Sequence, residues 1–184
     1  MKILVALLII IGGLGLGLIL IYNSFVKLRA MVREGWSDIE VQLKRRANLI
    51  PNLVSSVKGY MAHEKDRLNE VTELRARSMA TTAVADKAAV EHELSRSIVG
   101  ILAVAENYPD LKANQNFLQL QTQLAEIEEQ IQMARRYYNG TVRNLNVKID
   151  SFPSNIVAGA FDFQKADFFE IETAADRTVP QVNF

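Results

Sequence analysis

The longest regular pattern of apolar and polar positions in the chain runs from Lys112 to Ile149. Its apolar residues recur at alternating steps of three and four, which places them on one face of a helix in heptad register. Glutamine, glutamate, arginine and asparagine occupy the other faces, and only Thr141 interrupts the series. The apolar face comprises Phe117, Leu120, Leu124, Ile127, Ile131, Ala134, Tyr138 and Leu145. We therefore predict one long helix whose apolar face is covered by other helices.

A second heptad pattern, in the first half of the chain, predicts another long amphipathic helix. Three positions of the same heptad face are occupied by charged residues, namely Arg46, Glu64 and Arg67. Pro51 is expected to kink this helix or to start a fresh turn, because proline lacks the backbone donor and disfavours helical geometry at the preceding residue. Gly59 is expected to be a weaker defect. The apolar positions are Trp36, Ile39, Leu43, Ile50, Leu53, Val57, Tyr60, Val71 and Leu74.

A third, shorter helix is predicted from Asp86, as its N-cap, to about Asn107. A turn at residues 81–85 precedes it, and Pro109 suits the first turn of the helix that follows. Helices joined by short turns favour an antiparallel up-down arrangement. The buried stripe of the third helix consists of Val90, Leu94, Ile98, Ile101 and Ala105.

An uncharged apolar run from Ile3 to Tyr22 predicts a membrane span, since about 20 residues cross a hydrocarbon core of about 30 Å. A cleaved signal peptide is the alternative. The run is longer than the usual apolar core of about 7 to 15 residues and no small-x-small cleavage site follows, so we expect an uncleaved anchor. Gly13 and Gly17 have the spacing that lets two membrane helices approach closely, although glycine is also common in membrane helices generally.

Basic residues beside the span predict which side of the membrane the body occupies. Lys27, Arg29 and Arg33 outweigh Lys2, so the body is expected in the cytoplasm, with the periplasm as the alternative. The densest basic run, Lys44 to Arg46, could touch anionic lipid only if the helix lay flat on the membrane.

The pattern changes after Asp150. Residues 151–155 break the helix, and Ser154 or Asn155 is expected to cap one short helical turn that Gly159 ends. A solvated tail would not carry so many aromatic residues, so we expect this segment to fold back onto the bundle or onto a neighbouring subunit. Phe168 to Glu172 is a candidate extended stretch. The aromatic residues concerned are Phe152, Phe161, Phe163, Phe168 and Phe169.

These patterns together predict an all-α protein. An N-terminal transmembrane helix at residues 1–24 is followed by an antiparallel bundle of long helices at residues 25–172, with a short Phe-rich C-terminal extension. Residues 173–184 are expected to form a flexible tail. With 184 residues and 49% hydrophobic content, the chain is long enough for one sizeable core in addition to the span.

Charge and composition narrow the function. Basic and acidic residues number 21 each, so nothing in bulk indicates a nucleic-acid partner. Without cysteine the chain has no thiolate metal site, catalytic thiol or disulfide framework. His63 and Glu64 begin as a zinc-protease helix would, but Arg67 stands where the second histidine is required. His92 is expected on the surface of its helix. We predict no catalytic residues, no metal and no cofactor.

The most informative polar cluster is Arg135 and Arg136 beside Tyr138. One hypothesis is that an arginine pairs across the bundle or across a subunit contact. The alternative is a solvated face whose long side chains cover apolar neighbours. The candidate acidic partners are Asp150, Asp162 and Asp167.

Two stretches resemble a known family. The sequences RANLIPNLVSSVKGY at residues 46–60 and ARRYYNGTVRNLNVKIDSFPSNIVAGAFDFQKADFFEI at residues 134–171 are similar to those of the LemA family of bacterial membrane proteins. The resemblance extends to about Glu172. It implies an N-terminal transmembrane helix and a helical-bundle domain, and it implies no catalytic motif.

We therefore expect a single-span bacterial inner-membrane protein that forms homo-oligomeric structural or scaffolding assemblies. The expected partners are the lipid bilayer and further copies of the chain. The alternative is a monomeric anchored adaptor for a membrane protease or an envelope-stress partner. Inter-helix or subunit contacts are expected at Arg135, Arg136, Tyr138, Phe152, Phe161, Phe163, Phe168 and Phe169.

Overall fold

The structure is a computed structural model that describes residues 1–61 and 63–170. Within those residues it contains helices and no strand, so the predicted all-α fold is confirmed. The helices are α1 (Lys2–Lys58), α2 (Lys65–Ala80), α3 (Val84–Ala105), α4 (Pro109–Lys112), α5 (Gln115–Asp150) and α6 (Ser154–Ala160). Of the candidate extended stretch, residues 168–170 are described and are not in a strand. Residues 171–172 and the predicted flexible tail at residues 173–184 lie outside the described residues.

The chain divides into two compact units. The first comprises residues 1–39 and 133–167, and the second comprises residues 40–132 and the segment that begins at Phe168. Helices α1 and α5 contribute residues to both units.

Helix α1 contains Pro51 and ends at Lys58, where the pattern had predicted a helix continuing past Val71. The break falls at Gly59, the position expected to be the weaker defect. Glycine is a poor helix former, and after the turn at Gly59 and Tyr60 the buried position is taken by Met61, whose N–H bonds to the carbonyl of Val57. Tyr60, predicted to be apolar-facing, is instead exposed.

The second unit has a core built from the end of α1, α2, α3, α4 and the start of α5. Helices α2 and α3 are antiparallel, because Arg77 contacts Glu93 near one end of the pair and Arg67 approaches Gly100 near the other. The core residues repeat at helical spacing along each element. They are Ile50, Leu53, Val57, Met61, Leu68, Val71, Leu74, Leu94, Ile98, Ile101, Ala105, Leu111, Phe117, Leu120 and Leu124.

The starts of α3 and α5 differ from the predicted ones. Asp86 is not the N-cap of α3, because the helix already begins at Val84 after Ala83, and no side-chain cap bond forms there. The predicted start of the long helix at Lys112 belongs to α4. Helix α5 begins after Asn114, whose side-chain oxygen accepts hydrogen bonds from the N–H groups of Asn116 and Phe117 at 2.9 and 3.2 Å.

The first unit joins the two long helices in antiparallel fashion. Lys148 of α5 hydrogen-bonds to Ser24 of α1, and Gly35 of α1 lies against Tyr138 of α5. After α5, the short helix α6 packs back onto α1. The cluster that joins them consists of Phe25, Leu145, Val157, Ala158 and Phe163, with Ile21, Leu28, Val32, Ile149 and Ala166 partly buried against it.

Two details of the C-terminal segment correct the prediction. Neither Ser154 nor Asn155 caps α6, since Pro153 precedes the helix and the Ser154 hydroxyl donates instead to the carbonyls of Lys148 and Ser151. Gly159 lies inside α6 and does not end it.

The predicted apolar face of α5 is buried or half-buried at every position, from Phe117 to Leu145. The interrupting residue Thr141 is also buried. Its hydroxyl donates to the carbonyl of Tyr138 at 2.7 Å, so its polar group is satisfied within the helix.

Candidate functional site

The N-terminal part of α1 stands apart from the rest of the chain. Within the described residues, α1 is the helix that is long and apolar enough to cross a membrane, and its most apolar window has a mean hydropathy of 3.0 with 0% of it buried. A Cβ atom added at Gly13 or Gly17 would meet nothing within 4 Å. The rest of the chain therefore does not cover the span, whose apolar side chains are available to lipid or to another helix.

Four aromatic rings gather where the span meets the body, and we call them the membrane-proximal aromatic cluster: Tyr22, Phe25, Phe161 and Phe163. Phe25 is fully buried and stacks on Phe163 with ring centroids 4.7 Å apart. The Tyr22 ring meets Phe161 edge-on at 4.9 Å and Phe163 at 5.7 Å. Aromatic pairs in these geometries gain about 0.5–1.5 kcal/mol beyond the area that they bury.

Two cations lie over this cluster. The Arg29 guanidinium is 5.3 Å from the centroid of Phe163, and the Lys148 ammonium is 5.4 Å from that of Phe25. Lys148 also hydrogen-bonds to Ser24. Ring faces attract cations at these distances, so Phe163 of the folded-back segment holds Arg29, while Phe25 and Ser24 of α1 hold Lys148.

The predicted contact phenylalanines fall into two groups. Phe163 and Phe169 are buried, and Phe168 is half-buried. Phe152 and Phe161 remain 81% and 57% exposed. The segment thus folds back with some rings inward while it presents others outward.

Tyr138 lies inside the first unit. Its ring is 5.6 Å from that of Trp36, and its hydroxyl donates to the carbonyl of Asp167 at 2.8 Å. Burial, and secondarily the charge of Asp167, raises the pKa of Tyr138, because both oppose ionisation of the phenol. Gly35 permits the close approach of α1 to α5 beside Tyr138, since a Cβ at Gly35 would come within 3.2 Å of the Tyr138 backbone.

The two arginines beside Tyr138 occupy different environments. Arg135 is half-buried and interacts with other residues, whereas Arg136 is exposed. Asp150, one of the acidic partners considered for them, pairs with Lys165 at 2.7 Å. Pairing of Arg135 or Arg136 across a subunit contact stays a prediction.

The sequence-based reasoning missed a buried polar network in the second unit. The Arg46 side chain is 3% exposed and bonds to Glu91, whose side chain is 4% exposed. Arg46 also donates to Ser95 at 2.5 Å and to Glu128 at 2.7 Å. Glu91 accepts a further bond from the Ser78 hydroxyl at 2.5 Å. Arg46 is therefore a buried ion-pair partner and not part of a surface run that could touch lipid.

A signal for this network was present in the heptad pattern. Arg46 lies between Leu43 and Ile50 at steps of three and four, and Glu91 precedes Leu94 by three. Polar residues on otherwise apolar helix faces are expected to find partners there. His92, expected on the surface of its helix, is exposed, whereas Glu91 beside it is buried.

None of these arrangements supplies an obvious reaction. Within residues 1–61 and 63–170, no group of three or more His, Cys, Asp or Glu side chains is placed to hold a metal ion. The network around Arg46 joins α1, α2, α3 and α5, and the aromatic cluster joins the span to the body. With the uncovered apolar run of α1, the described residues form a membrane-associated all-α protein with one candidate span and a helical body.

The chain belongs to the LemA family, whose model matches residues 35–184. This confirms the resemblance drawn from the sequence. The match covers the helical body and begins after the candidate span.

Comparison with curated proteins finds relatives of two kinds. Protein LemA of Metamycoplasma hominis is 30% identical over 151 residues, covering 80% of this chain and 68% of that protein. Magnetosome protein MamQ 2 of Paramagnetospirillum magneticum is 24% identical over 188 residues, covering 88% of this chain and 69% of the relative. Magnetosome protein MamQ of Magnetospirillum gryphiswaldense is 23% identical over 193 residues, covering 90% and 71%.

Proposed function

We propose that this protein is a non-enzymatic, single-span protein of the bacterial inner membrane that forms homo-oligomeric scaffolds, with its helical body in the cytoplasm. The observation that carries the proposal is the uncovered span, in which Gly13 and Gly17 have open space on the same helix face. Membership of the LemA family and relatives named as magnetosome proteins are consistent with a membrane-associated role.

The physical argument concerns what can drive two spans together. Lipid tails are as apolar as leucine side chains, so membrane helices associate through close packing. Glycines four residues apart create a shallow face on which the backbone of a second helix can lie. Because the chain's own body buries none of this region, a second copy of the span is a suitable neighbour.

The test compares glycines on opposite faces of the span. At about 100° per residue, Gly15 points roughly opposite to the face shared by Gly13 and Gly17. The variant Gly13→Ile/Gly17→Ile should shift the full chain in mild detergent to smaller particles, as measured by size exclusion with light scattering. Gly15→Ile is the matched control and should leave the particle size unchanged.

A wild-type chain that is a monodisperse monomer would contradict the scaffold proposal and favour the anchored adaptor. Equal effects of Gly13→Ile/Gly17→Ile and Gly15→Ile would show that assembly does not depend on this glycine face.

A further inference from the structure

We propose a second membrane-contacting element in the corner after α5, residues 151–161, which we call the membrane corner. Phe152, Ile156 and Phe161 would enter the interfacial layer of an anionic phospholipid bilayer beside the span. The proposal requires that the span cross the membrane, and it is independent of oligomerisation. It rests on position, exposure and charge within the first unit.

The position follows from the pairing of the two long helices. Lys148 contacts Ser24, and Tyr138 contacts Gly35. The two helices are therefore antiparallel, and each step along α5 toward the membrane corresponds to about one step back along α1. Both helices rise about 1.5 Å per residue. The last residue of α5, Asp150, is therefore level with Tyr22, at the end of the apolar run. The membrane corner follows directly after Asp150.

Direct contacts place the corner against the last turn of the span. Ile21 packs on the cluster that contains Val157 and Ala158 of α6. The ring of Phe161 lies 4.9 Å from that of Tyr22. One face of the corner thus covers residues that belong to the apolar run itself.

Three large apolar side chains of the corner are nevertheless mostly exposed. Phe152 is 81% exposed, Ile156 is 62% exposed and Phe161 is 57% exposed. Large apolar side chains grouped on a surface mark a site of interaction. The neighbouring residues Leu18 and Leu20 of the span are exposed in the same way, at 52% and 62%. The exposed side chains of the corner therefore extend the apolar surface of the span, which lipid covers when the span crosses the membrane.

Cations lie close to the corner. Arg29 and Lys148 are held over the buried rings of Phe163 and Phe25, and Lys165 is exposed but paired with Asp150. Lysine and arginine near the membrane surface attract anionic headgroups while their stems cover apolar groups. An apolar tip below a basic rim is the arrangement found in elements that lie in the membrane interface.

The absence of cysteine in the sequence makes the test direct. Single-cysteine variants Phe152→Cys and Ile156→Cys of the full chain are labelled with an environment-sensitive fluorophore and reconstituted into phosphatidylglycerol and phosphatidylcholine vesicles. A phospholipid carrying a nitroxide near its headgroup reports lipid contact at the membrane interface, one carrying the nitroxide on an acyl chain reports contact in the hydrocarbon core, and iodide reports contact with water. We expect the lipid-borne nitroxide to remove most of the emission at both positions and iodide to have little effect.

Two further positions serve as controls. Leu14→Cys, in the span, should be quenched by lipid. Met133→Cys, which is 39% exposed on α5, lies about 25 Å farther from the membrane along the helix and should be quenched by iodide only.

Quenching at Leu14 together with iodide quenching at positions 152 and 156 would overturn the proposal. Protection of positions 152 and 156 from both quenchers would also overturn it, because a protein contact would then cover the corner. A span that is not quenched by lipid at Leu14 would remove the basis of the proposal together with that of the anchor.

Discussion

Arg46 is the residue whose environment differs most from that of an ordinary surface arginine. It bonds to two carboxylates and a hydroxyl, and its main partner Glu91 is as deeply buried as Arg46 itself. Bringing both charges out of water is costly, so the pair by itself adds little net stability. Removing one member is different, because the remaining charge stays buried without a counter-ion. The network therefore specifies which faces of α1, α3 and α5 meet.

Replacing Arg46 alone should destabilise the protein strongly. We expect Arg46→Met to lower the free energy of unfolding by about 3–5 kcal/mol. The double variant Arg46→Met/Glu91→Leu should be less destabilised than the sum of the single variants, by roughly 1–3 kcal/mol, because both buried charges are gone. Denaturant unfolding of the full chain in detergent, followed by circular dichroism, measures these differences.

The matched control is the pair of Arg77 and Glu93, which are 3.3 Å apart with side chains 53% and 46% exposed. Arg77→Met should cost no more than about 0–1 kcal/mol. If Arg46→Met and Arg77→Met had equal effects, removal of Arg46 would not leave Glu91 as an uncompensated buried charge.

The limits of sequence reasoning at the residue scale are visible in this network. The periodicity placed Arg46 on the buried face of its helix, but it could not name a partner that lies on another helix. Glu91 is followed by the exposed residues His92 and Glu93, which give no sign that its own side chain is buried. Burial of a carboxylate depends on which cation the fold brings to it, and that is set by tertiary packing.

At the level of secondary-structure elements, Gly35 allows α1 and α5 to approach each other closely. A Cβ at Gly35 would lie 3.1 Å from the Tyr137 ring and 3.2 Å from the Tyr138 backbone. We expect Gly35→Ala to destabilise the protein by about 1–3 kcal/mol, since the backbone of α5 would have to move. Thermal unfolding in detergent provides the measurement.

Gly140, on the facing helix α5, is the control because a Cβ there would meet nothing within 4 Å. Gly140→Ala should stabilise the protein by about 0.5–1 kcal/mol through helix propensity and the entropy of the unfolded chain. Stabilisation by Gly35→Ala as well as by Gly140→Ala would show that the approach of α1 and α5 at Gly35 is not tight.

The existence of the long helices could be predicted, whereas their ends could not. Heptad spacing records which face of a helix is buried, and the face of α5 was identified from Phe117 to Leu145. Helix ends depend on what the following residues pack against. Met61 is buried just past the end of α1, where the heptad pattern had placed Tyr60, and the side chain of Asn114 caps the start of α5.

For the whole molecule, the sequence predicted the apolar span, the all-α body and a C-terminal segment that folds back. It did not predict that the fold-back segment would cover the last turn of the span. That arrangement depends on the antiparallel pairing of α1 with α5, which brings residues distant in sequence to one level. The pairing also holds Arg29 and Lys148 beside the span, and Arg29 is one of the residues from which its orientation is predicted.

The orientation of the chain in the membrane, that is, which side the helical body occupies, is a property of the whole molecule. Positive residues near a span are retained preferentially in the cytoplasm, and Lys27, Arg29 and Arg33 follow the apolar run while Lys2 precedes it. We expect Ser37→Cys, at an exposed position of α1, to resist a membrane-impermeant maleimide in intact cells and to react after lysis. Lys2→Cys should behave in the opposite way. Labelling of Ser37→Cys before lysis would place the body in the periplasm, and the fold-back segment would then lie against the outer leaflet.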